Sequence, residues 1–465
     1  MRGVRSLRSA KERFDLHFIG ATGTVTGSKY HLQFDGRQVL VDCGLFQGYK
    51  QLRLRNWAQL PVAPKSLDAV VLTHAHIDHS GYLPLLVRNG FRGRILCTRS
   101  TRDLCRVLLP DSARLQEEEA DYANRRGYSK HKPALPLYTE RDAAACLRLF
   151  ETVEFGAPVD LGAGAEAEFH PAGHLLGAAM VLVRTSRGTL LFSGDLGRPN
   201  DLLMNPPAHI AQTDYLVVES TYGDRAHPAE DPRVQLGEVI NRTAARGGVI
   251  IIPSFAVGRA QAVLYYIHLL KAAGSIPDIP VFLNSPMATE AMRIFSNHAG
   301  EHRLGPRECA ALMGTARIAA SVEESEAINR HKGPMIVIAG SGMATGGRVV
   351  HHIKAFAPDP RNTLLFTGYQ TGGTRGAAIV AGAESVKIHG EYVPIRAEVD
   401  MIDNLSGHAD AGEIVDWLRG FKSPPRRTFI THGDPAAADA LRLRIEERLG
   451  WACSVPEYLE QVALE

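Results

Sequence analysis

Four side chains able to bind a metal fall within six positions of this 465-residue chain: His74, His76, Asp78 and His79, in the order H-x-H-x-D-H. Imidazole and carboxylate are donors that Zn²⁺ accepts, with Mn²⁺ or Fe as alternatives. The apolar run Asp68 to Thr73 precedes them and reads as a buried strand; Ser80-Gly81 and the apolar-periodic Tyr82 to Val87 follow and read as a helix. The donors therefore occupy the turn between a strand end and a helix start, where several side chains can be aimed at one point. His74 and His76, two positions apart in an extended turn, can share one ion, and Asp78 and His79 then face a second. A single loop histidine is usually an ordinary polar residue. Three with an aspartate at one strand end are not easily explained by packing.

Further polar residues sit where strands are predicted to end. Phe14 to Ile19, Lys29 to Phe34 and Arg37 to Val41 read as antiparallel strands, the last two joined at Asp35-Gly36, and Asp42 ends the third. Glu166 to His170, Ala178 to Arg184, Thr189 to Phe192 and Tyr215 to Val218 are further strands, followed by His174, Asp195 and Glu219. Between them, residues 95–150 are dense in arginine and read as a helical excursion with a solvated face. From near Tyr222 the plan changes. Gly248 to Pro253, Ile279 to Leu283, Met335 to Ala339 and Asn362 to Thr367 are continuous apolar strands, each followed by a helix, which predicts a parallel sheet covered on both faces. Val399 to Asp403 then leads to Ser406-Gly407-His408, and Arg427 to Thr431 leads to His432, as in the first part. The expected division is a basic tail 1–13, a first domain 14–221 completed by 396–465, and an inserted domain 222–395.

The glycine-rich turns 340–347 and 368–373 join strand to helix, where free N–H groups can meet phosphate. Ser341, Gly342, Thr345 and Arg348 in the first turn, Arg259 at another helix start and Ser406 are the candidate substrate contacts.

The order H-x-H-x-D-H, a distant His174, a distant Asp195 and a C-terminal His432 resembles the metallo-β-lactamase fold. The inserted sheet, Glu219 and His408 in Ser-Gly-His-Ala-Asp resemble its β-CASP branch of RNA- and DNA-processing nucleases, among them bacterial and archaeal homologues of the cleavage-and-polyadenylation endonuclease subunit. The resemblance covers nearly the whole chain past residue 13. It implies an α/β architecture, an αββα sandwich with an inserted β-CASP domain of mainly parallel sheet flanked by helices. It implies two Zn²⁺, or Mn²⁺: one on His74, His76 and His174, the other on Asp78, His79 and His432, with Asp195 bridging. Asp42 would orient a ligand through a hydrogen bond, and Glu219 and His408 would pair beside the metals.

Charge arithmetic independently favours a phosphodiester. Two divalent ions, two ligand carboxylates and a bridging hydroxide leave about +1, and such an ion pair generates hydroxide near neutral pH. His408 either protonates the leaving oxygen, its pKa raised by Glu219, or donates to a phosphate oxygen. Within the resembling family a histidine at position 432 points to RNA. The expectation is a metal-dependent ribonuclease acting on single-stranded RNA by a two-metal-activated hydroxide, internally or from the 5′ end. A DNA-acting nuclease and a non-catalytic RNA-binding scaffold are the alternatives, and the complete ligand set argues against the scaffold. A homodimer is a family-level expectation only.

Composition sets the frame. With 45% hydrophobic and 22% charged residues the chain is ordinary for a globular protein, and its length predicts more than one domain. No apolar stretch reaches the ~18–20 residues of a membrane span. Six cysteines without C-x-x-C spacing predict reduced thiols and a cytoplasmic protein. The segment 1–13 carries five basic residues but no apolar core, so it is read as a tail or basic arm rather than a secretory signal. A net charge of +2 gives no bulk attraction for nucleic acid, so binding must rest on local patches.

Overall fold

The computed structural model describes residues 14–127 and 129–465. The basic segment 1–13, and the tail-or-arm expectation with it, lies outside the described residues.

Alternation builds the first two layers. In Phe14–Phe18, residues Phe14, Leu16 and Phe18 are buried while Asp15 and His17 alternate with them, the period of a strand with one face on a core. This strand joins Gln461–Ala463, Tyr30–Phe34, Arg37–Val41, Ala69–Val71, Arg94–Thr98 and Phe150–Val153 in a seven-stranded sheet. A second seven-stranded sheet runs Cys453–Ser454, Arg427–Thr431, Tyr215–Glu219, Gly188–Phe192, Ala179–Thr185, Ala165–Pro171 and Pro158–Gly162. Their facing sides share one core, including Phe18, Leu32, Val71, Phe169, Val181, Phe192 and Phe429, with the Phe18 and Phe429 rings 5.2 Å apart. The helices Leu83–Arg88 and Arg99–Arg126 belong to the first sheet's side, Ala411–Leu418 and Pro435–Leu449 to the second's. This is the αββα sandwich.

The third sheet has six strands in the order Arg317–Ile318, Val281–Asn284, Met335–Ala339, Val249–Pro253, Thr363–Phe366, Glu398–Met401, all parallel. Its apolar strands face both ways: Ile250 and Ile252 join one buried cluster, Val249 and Ile251 the other, as a doubly covered parallel sheet requires. The completing part of the first domain is expected from residue 396; within it Glu398–Met401 pairs with Thr363–Phe366 and extends the inserted sheet at its edge. The strand expected at Val399 to Asp403 is found at Glu398–Met401, and an edge strand with one partner needs little apolar content.

The chain leaves the sandwich and returns to it side by side. His227 Nε2 bonds the His408 carbonyl at 2.9 Å, Asn404 Nδ2 donates to the Glu230 carbonyl at 2.6 Å, and the Ala411 N–H donates to the Arg225 carbonyl at 3.2 Å. Among the described residues no helix is long and apolar enough to cross a membrane.

Candidate metal centre and active site

Strand ends from both layers deliver the donors to one place. His74 and His76 lie in the extended connection after Ala69–Val71, whereas Asp78 and His79 sit within one helical turn, Ile77–Ser80. That turn is pinned from below. The Ser28 N–H donates to the Asp78 carbonyl at 2.8 Å, and Gly44 packs so close that a Cβ there would lie 1.5 Å from the same oxygen. Asp42 and His432 both hold left-handed backbone, with φ of 58° and 51°. For residues other than glycine this costs on the order of 1–3 kcal/mol and is concentrated at functional sites.

The donors form two groups. In the first, His76 Nδ1 is 3.2 Å from both His74 Nε2 and His174 Nε2; Asp195 Oδ2 lies 3.3 Å from His74 Nε2 and 3.5 Å from His174 Nε2. In the second, His79 Nε2 and His432 Nε2 are 3.0 Å apart, and Asp78 Oδ2 is 3.7 Å from His432 Nε2. Asp195 reaches both groups, because its Oδ1 is 3.2 Å from His79 Nε2. Asp42 backs the second group: its Oδ2 is 2.7 Å from His79 Nδ1, and it accepts from Thr73 N at 2.8 Å, Thr73 Oγ1 at 3.0 Å and Ser28 Oγ at 3.2 Å. His174 Nδ1 leans on the Gly407 carbonyl at 3.1 Å. Each of these contacts turns the other ring nitrogen toward the cluster.

At His74, His76, His174 and Asp195 electrostatics favour the forms that a metal binds. Burial, helped by neighbouring imidazoles, pushes His74 and His174 down and His76 to about 3. Burial opposes charge on Asp195, but His79, His432 and His74 outweigh it and hold the carboxylate well below its usual range. His79 shows the converse, since Asp195 and Asp42 outweigh burial and raise it. Asp195 Oδ1 is buried without a hydrogen-bond partner. Imidazole nitrogens converge on one another at separations where their lone pairs oppose. A cation among them resolves both features, and nitrogen–oxygen donors of this kind suit Zn²⁺.

Glu219 and His408 stand beside this cluster. Glu219 Oε1 accepts from Leu196 N at 2.7 Å and lies 3.0 Å from His408 Nδ1, while Oε2 accepts from Thr221 N at 3.2 Å. The other ring nitrogen of His408 is 4.0 Å from Asp195 Oδ2. Burial lowers the His408 pKa, but the Glu219 carboxylate outweighs it and the net shift is upward. The His408 ring stacks on Tyr222 at 6.2 Å and lies 4.4 Å from the His174 ring.

The candidate substrate residues scatter. Ser341 and Thr345 join hydroxyls at 3.1 Å on their turn, and Gly342 lies against Phe255, whose ring is 6.2 Å from that of His76. Arg259 lines a cavity of about 40 Å³ with His174, Asp201 and Gly407, and its guanidinium covers Gly368. Arg348 is turned inward instead. Its guanidinium donates to Asn284 Oδ1 and the Ala319 carbonyl at 2.7 and 2.8 Å, and to the Ala320 carbonyl. Ser406 Oγ accepts from His408 N at 3.2 Å, which shapes the loop carrying His408. Sequence reasoning passed over Ser28, Thr73 and Thr221, hydroxyl residues in no recognisable spacing. It also passed over Tyr222 and His227. Only adjacency to Glu219 could have pointed to Thr221 and Tyr222.

Comparison with known proteins agrees with this geometry. The metallo-beta-lactamase superfamily matches residues 30–235, the Beta-Casp domain 260–379, and the Zn-dependent metallo-hydrolase RNA specificity domain 392–456. The chain is 38% identical over 424 residues to ribonuclease TTHA0252 of Thermus thermophilus, covering 90% of this chain and 92% of that one. It is 33% identical to the transcription termination factor FttA of Pyrococcus abyssi, covering 96% of this chain and 70% of that one. The FttA of Methanosarcina mazei is 32% identical, with 96% and 71% covered. A solved structure of a protein of unknown function from Enterococcus faecalis V583 shares the fold, with a TM-score of 0.50, 13% identity, and coverage of 97% of this chain and 100% of that one. Family and donor set together support zinc as the metal this cluster suits. By its strand-end histidines, its inserted parallel sheet and its relatives, this chain belongs to the metallo-beta-lactamase superfamily, in the branch carrying Beta-Casp and RNA specificity domains.

Proposed function

We propose that this chain is a zinc-dependent ribonuclease that hydrolyses phosphodiester bonds of single-stranded RNA. The observation that carries the reading is the His408–Glu219 pair, fixed at 3.0 Å, whose free nitrogen faces the carboxylate shared by both donor groups. Two ions fit the division of the donors. His74, His76 and His174 would hold one, Asp78, His79 and His432 the other, and Asp195 both; Mn²⁺ could replace zinc. Bound metal supplies Lewis acidity and lowers the pKa of water. Asp42 fixes His79, and Gly407 fixes His174, so that their donor nitrogens face inward. Glu219 accepts from His408 Nδ1, which leaves Nε2 to give its proton to the departing ester oxygen. The names of the relatives and the RNA specificity domain support RNA over DNA.

The test is incubation of purified protein and Zn²⁺ or Mn²⁺ with labelled single-stranded RNA bearing a 5′ monophosphate or triphosphate, beside single-stranded DNA. Cleavage of the RNA, absent in His76→Ala, is expected. A ladder would mark internal cutting, and end-dependent mononucleotides 5′–3′ exonuclease action. RNA that survives in both wild type and variant would sink the proposal.

A further inference from the structure

Eight residues after Asp42 the chain begins a short helix, Lys50–Arg55, that buries none of its residues. Around it Tyr49, Leu54 and Trp57 are 52%, 56% and 57% exposed. Exposed apolar residues are normal when scattered singly, but a contiguous set marks an interaction surface. Here they alternate with Lys50, Arg53 and Arg55, and no acidic residue occurs between Asp42 and Asp68. Arg55 anchors the patch, with its guanidinium 3.9 Å from the Tyr458 ring and 5.3 Å from Phe46. Lys50, Arg53 and Trp57 are left pointing to solvent.

The patch begins at the seam between sandwich and inserted sheet. Gly373 and Gly372 lie flat against Tyr49; a Cβ on Gly372 would meet its hydroxyl at 2.5 Å. Gly48, with φ of 78°, packs equally closely on the Gly372 carbonyl. The start of the same segment is tied to the metal turn, since Cys43 N donates to the His79 carbonyl at 2.7 Å and Leu45 N to the Ile77 carbonyl at 2.9 Å. The segment that carries this surface is therefore bonded at its buried start to the turn holding Asp78 and His79, while Lys50, Arg53 and Trp57 face solvent.

We infer that Tyr49 to Trp57 is a docking surface for single-stranded RNA, with bases stacking on Trp57 and Tyr49 and phosphates meeting Lys50 and Arg53. Aromatic faces interleaved with cations are how single strands are held without sequence preference. Charge complementarity selects this occupant, because the patch has cations and no carboxylate of its own to offer a mixed-charge protein surface. The inference rests on the ribonuclease reading of the site, and it extends that reading from the broken bond to the strand on either side.

The experiment measures binding of a fluorescent 12-nucleotide phosphorothioate oligouridylate by anisotropy, and cleavage of 12-mer and dinucleotide RNA, for wild type, Trp57→Ala, Trp57→Phe and Lys50→Glu/Arg53→Glu. Trp57→Ala should weaken 12-mer binding about tenfold, whereas Trp57→Phe keeps a stacking face and most of the affinity. The charge reversal should flatten the plot of log affinity against log salt by about 1.4, two phosphate contacts at about 0.7 each. The loss in cleavage should be larger for the 12-mer than for the dinucleotide. Unchanged affinity and salt slope would overturn the inference and leave the patch to a protein partner; equal losses on both substrates would overturn it as well. Wild type that binds RNA through this patch but cleaves none would instead sink the reading of the active site.

Discussion

Two histidine–carboxylate pairs flank the cluster, His79 with Asp42 and His408 with Glu219, at 2.7 and 3.0 Å. Their surroundings separate them. His79 and Asp42 are both 1% exposed, and the second nitrogen of His79 faces the His432 donor. The His408 side chain is 15% exposed, and its second nitrogen faces the Asp195 carboxylate across 4.0 Å. The same chemistry thus serves two ends. On the proposed reading, the enclosed pair would hold a ligand in one orientation, while the more exposed pair would hand over a proton. Asp195 lies opposite both second nitrogens, at 3.2 Å from His79 and 4.0 Å from His408, so solvent access and the crowding of donors separate the pairs more than their strength does.

The largest effect should come from removing what both pairs face. Asp195→Ala should lose bound zinc, read by elemental analysis, and all hydrolysis; an active variant with its full metal content would refute the shared-carboxylate assignment. His408→Ala should keep its zinc while kcat falls by about 10²–10⁴, the usual worth of a general acid. Replacing the leaving group by p-nitrophenolate, which needs no proton, should restore most of that loss, and equal losses on both substrates would make His408 a phosphate contact instead. Asp42→Ala should weaken metal affinity by about 10–100-fold, with activity recovered at excess zinc; a loss that zinc does not repair would end the contrast between the pairs.

The smallest effect belongs to a third pairing, remote from the metals. His298 Nε2 lies 3.1 Å from Asp103, its Nδ1 is 3.5 Å from Glu301, and Ser100 bonds the same ring. Arg102 and Arg106 also face Asp103. Glu301 raises the His298 pKa, opposed by burial and supported by Asp103. A raised folded-state pKa adds stability that is fully present below the unfolded value of about 6.5 and is lost as pH rises through the folded value. The Tm advantage of wild type over His298→Gln should therefore shrink between about pH 6 and pH 8; an advantage that grows with pH would show the pair to be misread.

The residues that the strand ends gather were legible because rare residue types are concentrated there, and both H-x-H-x-D-H and the β-α repeats carry strong local signals. Partners defined by space alone were not legible. Arg94–Thr98 and Phe150–Val153 are edge-ward strands in a stretch dominated by the charged helix Arg99–Arg126, and its arginines hid them. Pro158–Gly162 begins with a proline, which fits an edge strand. Gln461–Ala463 is three residues long and pairs with Phe14–Phe18 across nearly the whole chain. Arg348 shows the same limit in the site. Its place in a glycine-rich turn suggested phosphate, while its hydrogen bonds run to Asn284 and two carbonyls of its own domain.

The side-by-side crossings have a consequence for how such a molecule can vary. Asn404 and Glu230 are bonded although 174 positions apart, so the chain enters and leaves the inserted domain at one place, while contacts such as His298 with Asp103 and Gly372 with Tyr49 tie that domain to the sandwich elsewhere. Loop-closure cost grows only slowly with length, and insertions are tolerated where the joined ends lie together. Variation in length should therefore fall in parts of the inserted domain away from these contacts. The constraint falls on the returning segment, where Gly407 must still reach His174 and His408 must still meet Glu219.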